Sequence, residues 1–144
     1  MDKMIQRIWQ YSNYYGDMLA TAVRLHNEGE DYAATLVLFN ATELICKSVR
    51  ENYNQNFSQD LSHLQKNGLL SEDDYEFLSN KDFGVRGIRN KMVHRDAYQF
   101  YLVDSEGIHY PFSEASTWSI IFENYTPRII KILHKIIETY SEKP

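Results

Sequence analysis

The sequence lacks most of what a disulfide-linked, secreted or membrane-spanning protein needs. Its 144 residues include a single cysteine, Cys46, so no disulfide can form within the chain. No apolar run approaches the roughly 20 residues of a transmembrane helix. The first ten residues, MDKMIQRIWQ, carry charge where a signal peptide would be apolar. These absences predict a cytoplasmic protein with no membrane partner.

Patterns for metal or nucleotide binding are also missing. The histidines outside the basic segment described below are scattered without ligand spacing: His26, His63, His109 and His134. The acidic stretch SEDDYE lacks the glycine and the spaced ligands of a calcium loop, and there is no glycine-rich phosphate loop. The sequence therefore predicts neither a metal site nor a cofactor.

What is present is the composition of one globular domain. Hydrophobic residues make up 43% of the chain and charged residues 24%, which excludes a disordered or fibrous protein. A length of 144 residues suffices for one core. We therefore expect a single domain spanning residues 1–144, with aromatic side chains, including 11 tyrosines, prominent in the core or at an interface.

Apolar residues recur at helical spacing over most of the chain. The pattern predicts one long helix from Lys3 to about Asn27 and a central, largely apolar helix from about Tyr32 to Asn52. Two short helices follow, the second with Ser71 as its N-cap. A further helix is expected from about residue 81 or 82 to residue 96. The last segment is either one kinked helix or two, with Ser113 and Thr126 as candidate N-caps and Pro127 at a first helical position.

The period changes after the basic segment. YQFYLV and IHYPF are short, aromatic and β-branched, and the DSEG sequence between them is rich in turn formers. This pattern predicts a small β-hairpin around residues 98–112, with Pro111 on an edge strand. The expected fold class is thus all-α: a bundle of four to six helices with one small inserted hairpin.

A polar stripe interrupts the apolar central helix. Asn40, Glu43, Lys47 and Arg50 are three or four residues apart and therefore project within one sector. Two interpretations remain open at this point. The stripe is either a solvent-facing strip or part of the lining of a polar cleft.

The basic charge of this acidic protein is concentrated in one segment. The net charge is −5, yet residues 81–95 contain five basic residues against one acid, a local charge of +4. Wide, nonspecific binding of nucleic acid by the whole surface is therefore not expected. On a helical wheel, Arg86, Asn90 and His94 share one side, while Arg89 falls on the apolar side. A guanidinium in that position needs an anionic partner or a wet cleft, because an unpaired buried charge is costly and arginine stays protonated.

Arginine and histidine within six residues suffice in principle to cleave RNA without a metal. The 2′-hydroxyl of the substrate would attack the adjacent phosphorus, His94 would move a proton, and Arg89 would stabilise charge on the phosphate. Asn90 could orient its neighbours or hold a substrate oxygen. On the wheel, Arg89 and His94 lie about 140° apart. We therefore expect a homodimer whose cleft combines side chains from both chains.

The segment RNKMVH resembles the RNxxxH form of the signature of the HEPN domain (higher eukaryotes and prokaryotes nucleotide-binding). The predicted order of helices and the ATELICKSVREN pattern on the central helix are also similar to that family. The resemblance implies a metal-independent endoribonuclease that acts as a homodimer on RNA, as in toxin–antitoxin or phage-defence systems. Arg89, His94 and Asn90 would then be catalytic, and an antitoxin or another partner protein would control the activity.

Five further residues are candidates for substrate binding. Arg86, Lys91 and Arg95 flank the motif, and Glu43 and Lys47 correspond to charged positions that some HEPN members carry on the second helix. One position departs from the family pattern. HEPN toxins paired with a minimal nucleotidyltransferase often have a tyrosine two residues after the histidine, where this chain has Asp96.

A second hypothesis from another class stays open. The chain would be a non-catalytic dimerisation or adaptor module, or a nucleotide-binding accessory module, in the same helical fold. Arg89 would then form a structural ion pair, for instance with Glu43, and His94 would be an ordinary residue at a helix end.

Overall fold

The computed structural model describes residues 1–142, which form a helical bundle with one small hairpin. The predicted fold class is confirmed, but residues 1–142 form seven α-helices where four to six were expected. The elements run, in chain order, α1 (Asp2–Tyr11), α2 (Asn13–Asn27), α3 (Asp31–Arg50), α4 (Phe57–Lys66), α5 (Glu72–Ser79), α6 (Val85–Met92), a 3₁₀ turn (Ala97–Gln99), β1 (Tyr101–Val103), β2 (His109–Pro111) and α7 (Ala115–Ser141). No helix within residues 1–142 combines the length and the apolar character needed to cross a membrane.

Helix α3 is central, as its apolar sequence predicts. It packs against α2 and α7 and also contacts α4 and α6. Leu38, Phe39 and Ile45 of α3 are fully or almost fully buried, and each such side chain contributes about 1.5–3 kcal/mol to folding. Because α3 touches α4 on one side and α6 on another, polar groups along it can join these two helices.

The predicted first helix is two helices, so the expectation of one long helix is wrong. Ser12 adopts an extended conformation (φ −152°, ψ 114°), and its hydroxyl accepts the N–H of Tyr15 as the N-cap of α2. Gly16 permits the sharp reversal, because a Cβ there would overlap the backbone of Trp9. Helices α1 and α2 therefore pack side by side.

The C-terminal segment is one helix of 27 residues with Pro127 in its interior. Neither Ser113 nor Thr126 is an N-cap, since the helix begins at Ala115 after Glu114. Proline removes one backbone hydrogen bond and costs about 3 kcal/mol within a helix. Buried side chains on both sides of it, including Ile121 and Leu133, hold the helix together across this point. Thr126 Oγ1 is the buried side-chain oxygen without a hydrogen-bond partner among the described residues.

The hairpin is confirmed, although its strands are shorter than the sequence pattern. Tyr101 pairs with Pro111 and Val103 with His109 in an antiparallel register. Asp104 organises the turn, because its Oδ1 accepts the N–H groups of Glu106 and Ile108, each at 2.9 Å. These bonds, the one from Ile108 foremost, lower the pKa of the Asp104 carboxyl below its ordinary value. Residues 98 and 99, predicted as strand, lie in the 3₁₀ turn Ala97–Gln99 instead.

The motif helix α6 is shorter than predicted at both ends. Asn80 Oδ1 accepts the N–H groups of Asp82 and Phe83, which forms a separate turn before the helix. At the other end, the carbonyl of Met92 accepts the Tyr32 hydroxyl at 3.4 Å, while the N–H of Asp96 donates to the His94 ring. The next helical hydrogen bond would run from the N–H of Asp96 to the carbonyl of Met92, and both groups have other partners. Helix α6 therefore ends at Met92, and His94 lies outside it.

We expect Gly87→Ala to destabilise the protein by about 1–3 kcal/mol, because an added methyl would overpack a close backbone contact. Gly87 faces the turn before α6, and a Cβ there would overlap the backbone carbonyl groups of Asn80 and Lys81. The overlap involves backbone atoms, so no side chain can rotate away. Thermal unfolding measures the effect, and an unchanged melting temperature would mean that α6 does not pack on this turn.

Candidate functional site

Arg89 is held by an acid from the central helix. Its Nη2 lies 2.8 Å from Oε2 of Glu43, whose side chain is 12% exposed, while the Arg89 side chain is 30% exposed. Of the two expectations for Arg89, an anionic partner or a wet cleft, the structure shows the anionic partner. The pair joins α6 to α3, and it leaves part of the guanidinium accessible to solvent.

A second carboxylate extends this contact into a network. Asp60 on α4 is fully buried, and its oxygens lie 2.6 Å from Lys47 Nζ and 3.0 Å from Arg50 Nη1. Lys47 also donates to the carbonyl of Gln55 and lies 3.9 Å from Glu43. Three cations and two carboxylates thus run from α4 through α3 to α6, and we call Arg89, Glu43, Lys47, Asp60 and Arg50 the ion network.

The network decides between the two interpretations of the polar stripe on α3. Glu43, Lys47 and Arg50 have side chains only 11–12% exposed, so a solvent-facing strip is wrong for these three. Only Asn40 faces solvent. Buried ion pairs gain little net stability because both charges lose water, but removing one partner is strongly destabilising. The network therefore fixes where the Arg89 guanidinium lies.

His94 lies in the turn after α6, and it is exposed. Its Nδ1 accepts the N–H of Asp96 at 3.2 Å, and the edge of its ring meets Phe100 with centroids 5.5 Å apart. Because Nδ1 is an acceptor, the neutral ring carries its proton on Nε2. The wheel that aligned His94 with Arg86 and Asn90 does not apply, since His94 is not on the helix.

The remaining residues predicted around the motif differ in what they contact. Asn90 is exposed on α6. The Nε of Arg86 donates to the carbonyl of Ser79 at 2.9 Å, and Lys91 Nζ donates to the carbonyl of Asp82 at 2.9 Å. The Arg95 side chain is 92% exposed, and its only charged neighbour among the described residues is distant, with 4.0 Å between Arg95 Nε and Asp96 Oδ2. Arg95 is thus the most available cation, while Arg86 and Lys91 brace the turn before α6.

Sequence reasoning missed Asp60, which anchors the ion network. A signal was present, because Asp60 follows Phe57 by three residues and precedes Leu64 by four, so it lies on the apolar face of α4. An acid on that face needs a cation from a neighbouring helix, and the stripe on α3 supplies two. The contact of Phe100 with His94 gave no comparable signal, because it depends on how the chain turns after α6.

The arrangement of the described residues does not support two kinds of catalysis, one by a cysteine nucleophile and one by a bound metal ion. The lone thiol, Cys46, is buried, and burial raises its pKa to about 12, which keeps it protonated and unreactive. Within residues 1–142, no three His, Cys, Asp or Glu side chains converge as a ligand set.

A scan against protein-family models finds no match, and searches of curated proteins and of solved structures find no significant match either.

Proposed function

We propose that the chain is a metal-independent endoribonuclease of the HEPN type, with Arg89, His94 and Asn90 as its catalytic residues. The proposal rests on the resemblance of RNKMVH to the HEPN signature. One structural observation carries it furthest: Glu43 holds Arg89 from the protein side at 2.8 Å while the guanidinium stays partly accessible. A held, accessible guanidinium is suited to the oxygens of a phosphodiester.

The proposed reaction is a transfer within the substrate. The 2′-oxygen forms a bond to the adjacent phosphorus, the bond from phosphorus to the 5′-oxygen breaks, and the products carry a 2′,3′-cyclic phosphate and a 5′-hydroxyl. Arg89 stabilises charge on the phosphate oxygens. His94 acts as the acid in its imidazolium form, in which a proton from solvent occupies Nδ1 in place of the hydrogen bond from the N–H of Asp96. It gives the Nε2 proton to the leaving 5′-oxygen and becomes neutral. The proton of the 2′-hydroxyl leaves to solvent or, in a dimer, to the second copy of His94.

We further propose that the site works in a homodimer. The helical-wheel argument for a dimer no longer holds, because His94 lies outside α6. Support comes instead from exposed apolar side chains beside the motif: Val93 is 66%, Tyr98 65% and Tyr101 50% exposed. A second copy covering this surface would bring two Arg89 and two His94 side chains together. Arg95 would then contact RNA at the rim.

The first experiment incubates the full chain with single-stranded RNA in excess EDTA. We expect cleavage, with cyclic phosphate at the new 3′ ends. The specific activity should fall on dilution below the dimer dissociation constant, because each site needs two chains. An activity that is constant down to concentrations where sedimentation shows only monomers would contradict the dimer but not the ribonuclease.

A toxin or defence effector is the biological role that this chemistry suggests, with an antitoxin or partner protein to control it. Expression of the wild type should then arrest growth, and expression of His94→Ala should not. Equal growth of both strains at equal protein levels would remove the support for a toxin.

The non-catalytic adaptor remains a second candidate, and the Arg89–Glu43 pair is the observation that favours it. An adaptor predicts no RNA cleavage by the wild type and a loss of thermal stability for Arg89→Ala, since Glu43 would be left without its nearest cation. It also predicts no effect of His94→Ala beyond the loss of an exposed ring. RNA cleavage in EDTA that depends on His94 would exclude this candidate.

A further inference from the structure

A cavity of about 530 Å³ lies between the hairpin, the turn before α6 and the first half of α7. It is large enough for a small organic ligand. Most of its lining is apolar or aromatic, with Phe83 from the turn, Leu102 and Tyr110 from the hairpin, and Ile121 and Tyr125 from α7. Nothing in the catalytic proposal uses it.

The aromatic wall of the cavity is fixed in place. The Tyr125 hydroxyl donates to the carbonyl of Phe83 at 2.6 Å, which ties α7 to the turn before α6. Burial raises the pKa of Tyr125 to about 12, so this hydroxyl stays protonated and keeps donating. Phe83 is 47% exposed and lines the cavity, so its ring is available for stacking.

The polar side chains that line the cavity differ in how many hydrogen-bonding groups they have left for a ligand. Asp104 already accepts three hydrogen bonds, since its Oδ2 accepts the Tyr110 hydroxyl at 2.9 Å and its Oδ1 accepts two turn N–H groups. Asn124 is different. Its Nδ2 donates once, to the carbonyl of Ile120 at 2.9 Å, which leaves one N–H and the Oδ1 atom without a protein partner in the described part of the chain.

The cavity borders the N-terminal end of the motif helix. Phe83 comes two residues before α6, and Arg89 lies six residues further along the chain. The five steps from the N-cap Gly84 to Arg89 span about 7.5 Å along the helix, and the step from Phe83 to Gly84 adds at most about 3.8 Å. A group bound against Phe83 is therefore within a nucleotide or two of a phosphate bound at Arg89.

We infer that this cavity binds a nucleobase of the RNA substrate, with adenine preferred, beside the cleaved phosphodiester. The inference rests on the proposed function and names a specificity site for it. Aromatic faces stack on any base. A carboxamide with one free donor and one free acceptor can pair with the N7 and N6 edge of adenine. The fused rings of a purine also offer the aromatic wall a larger stacking face than uracil does, which favours adenine over uracil. The carboxylate of Asp104 repels phosphate, which favours entry of a base rather than of the backbone.

Titration of the full chain with adenosine and with uridine tests the cavity without requiring cleavage. We expect adenosine to perturb the NMR signals of α7 and the hairpin and to bind more tightly than uridine. Phe83→Leu should weaken adenosine binding about 5- to 100-fold through loss of stacking. Asn124→Ala should also weaken adenosine binding through loss of its hydrogen bonds, whereas Asn27→Ala, an exposed asparagine at the end of α2, should leave the binding of both nucleosides unchanged.

Cleavage of RNA then separates this inference from the proposed function. With wild-type protein we expect cuts clustered beside adenine, and with Asn124→Ala we expect the cut positions to be less clustered. If the wild type cleaves RNA but Phe83→Leu and Asn124→Ala leave both nucleoside binding and cut positions unchanged, the base site is wrong and the ribonuclease stands. If adenosine binds in an Asn124-dependent way without any RNA cleavage, the base site stands and the ribonuclease fails.

Discussion

His94→Ala is expected to lower the rate of RNA cleavage by about two to four orders of magnitude, the usual contribution of a general acid or base. The loss should occur with little change in the free energy of unfolding, because His94 is exposed and the one hydrogen bond of its ring to a described residue is with the N–H of Asp96. His63→Ala, an exposed histidine on α4, is the matched control and should keep full activity.

The companion variant Arg89→Ala should lose a comparable rate but should also lower stability, because it leaves Glu43 facing only Lys47, 3.9 Å away. The two variants are thus expected to differ in melting temperature while sharing the loss of activity. If His94→Ala retained wild-type cleavage with purified RNA, the assignment of the acid would be wrong.

Asp60→Ala is expected to destabilise the protein by about 3–5 kcal/mol, which is large for a single side chain. Asp60 is fully buried between Lys47 and Arg50, whose side chains are 11% and 12% exposed. Removing the carboxylate leaves two cations close together with little water, and arginine stays charged. Urea unfolding of both proteins measures the difference.

Two further variants sharpen the Asp60 experiment. Asp73→Ala, an exposed acid on α5, is the matched control and should stay within about 0.5 kcal/mol of the wild type. Replacing Asp60, Lys47 and Arg50 together by apolar residues of similar size should recover much of the loss, because no charge is then left unpaired. A loss below 1 kcal/mol for Asp60→Ala would mean that water reaches the two cations.

The fold could be predicted where local sequence signals agree. The apolar α3, the hairpin and the Ser71 cap of α5 follow from periodicity and turn chemistry, and the structure has all three. Helix ends were predicted less well, because they depend on single polar contacts. Ser12 splits the first helix by capping α2. The hydroxyl of Tyr32, 60 residues from Met92 in sequence, occupies the carbonyl at which α6 ends.

Residues of the candidate site could be predicted from the sequence, but the contacts that join them to the rest of the ion network could not. The position of Arg89 on the apolar side of its helix predicted an acidic partner, and Glu43 is that partner. The buried anchor of the network, Asp60, comes from a helix that the motif gave no reason to consider. Helical periodicity places Asp60 on the apolar face of α4, but it cannot say which cations the carboxylate meets, because that depends on the packing of α3 against α4.

The ion network suggests why a catalytic arginine would be built on buried charges. A guanidinium that must meet a phosphate from one direction needs a fixed carboxylate behind it, and Glu43 is itself held near Lys47. Preorganisation of this kind lowers the cost of arranging charges at the moment of reaction. The same contacts would also serve a purely structural arginine, so only the chemistry of RNA separates the two uses.

The most direct test of the central claim is therefore an RNA oligonucleotide carrying a single 2′-deoxy substitution at the preferred cleavage position, assayed in EDTA with analysis of the product ends. The account predicts that the unmodified RNA is cut to a 2′,3′-cyclic phosphate and a 5′-hydroxyl, and that the substituted position is not cut. Cleavage of the 2′-deoxy position, or products ending in a 5′-phosphate, would contradict it.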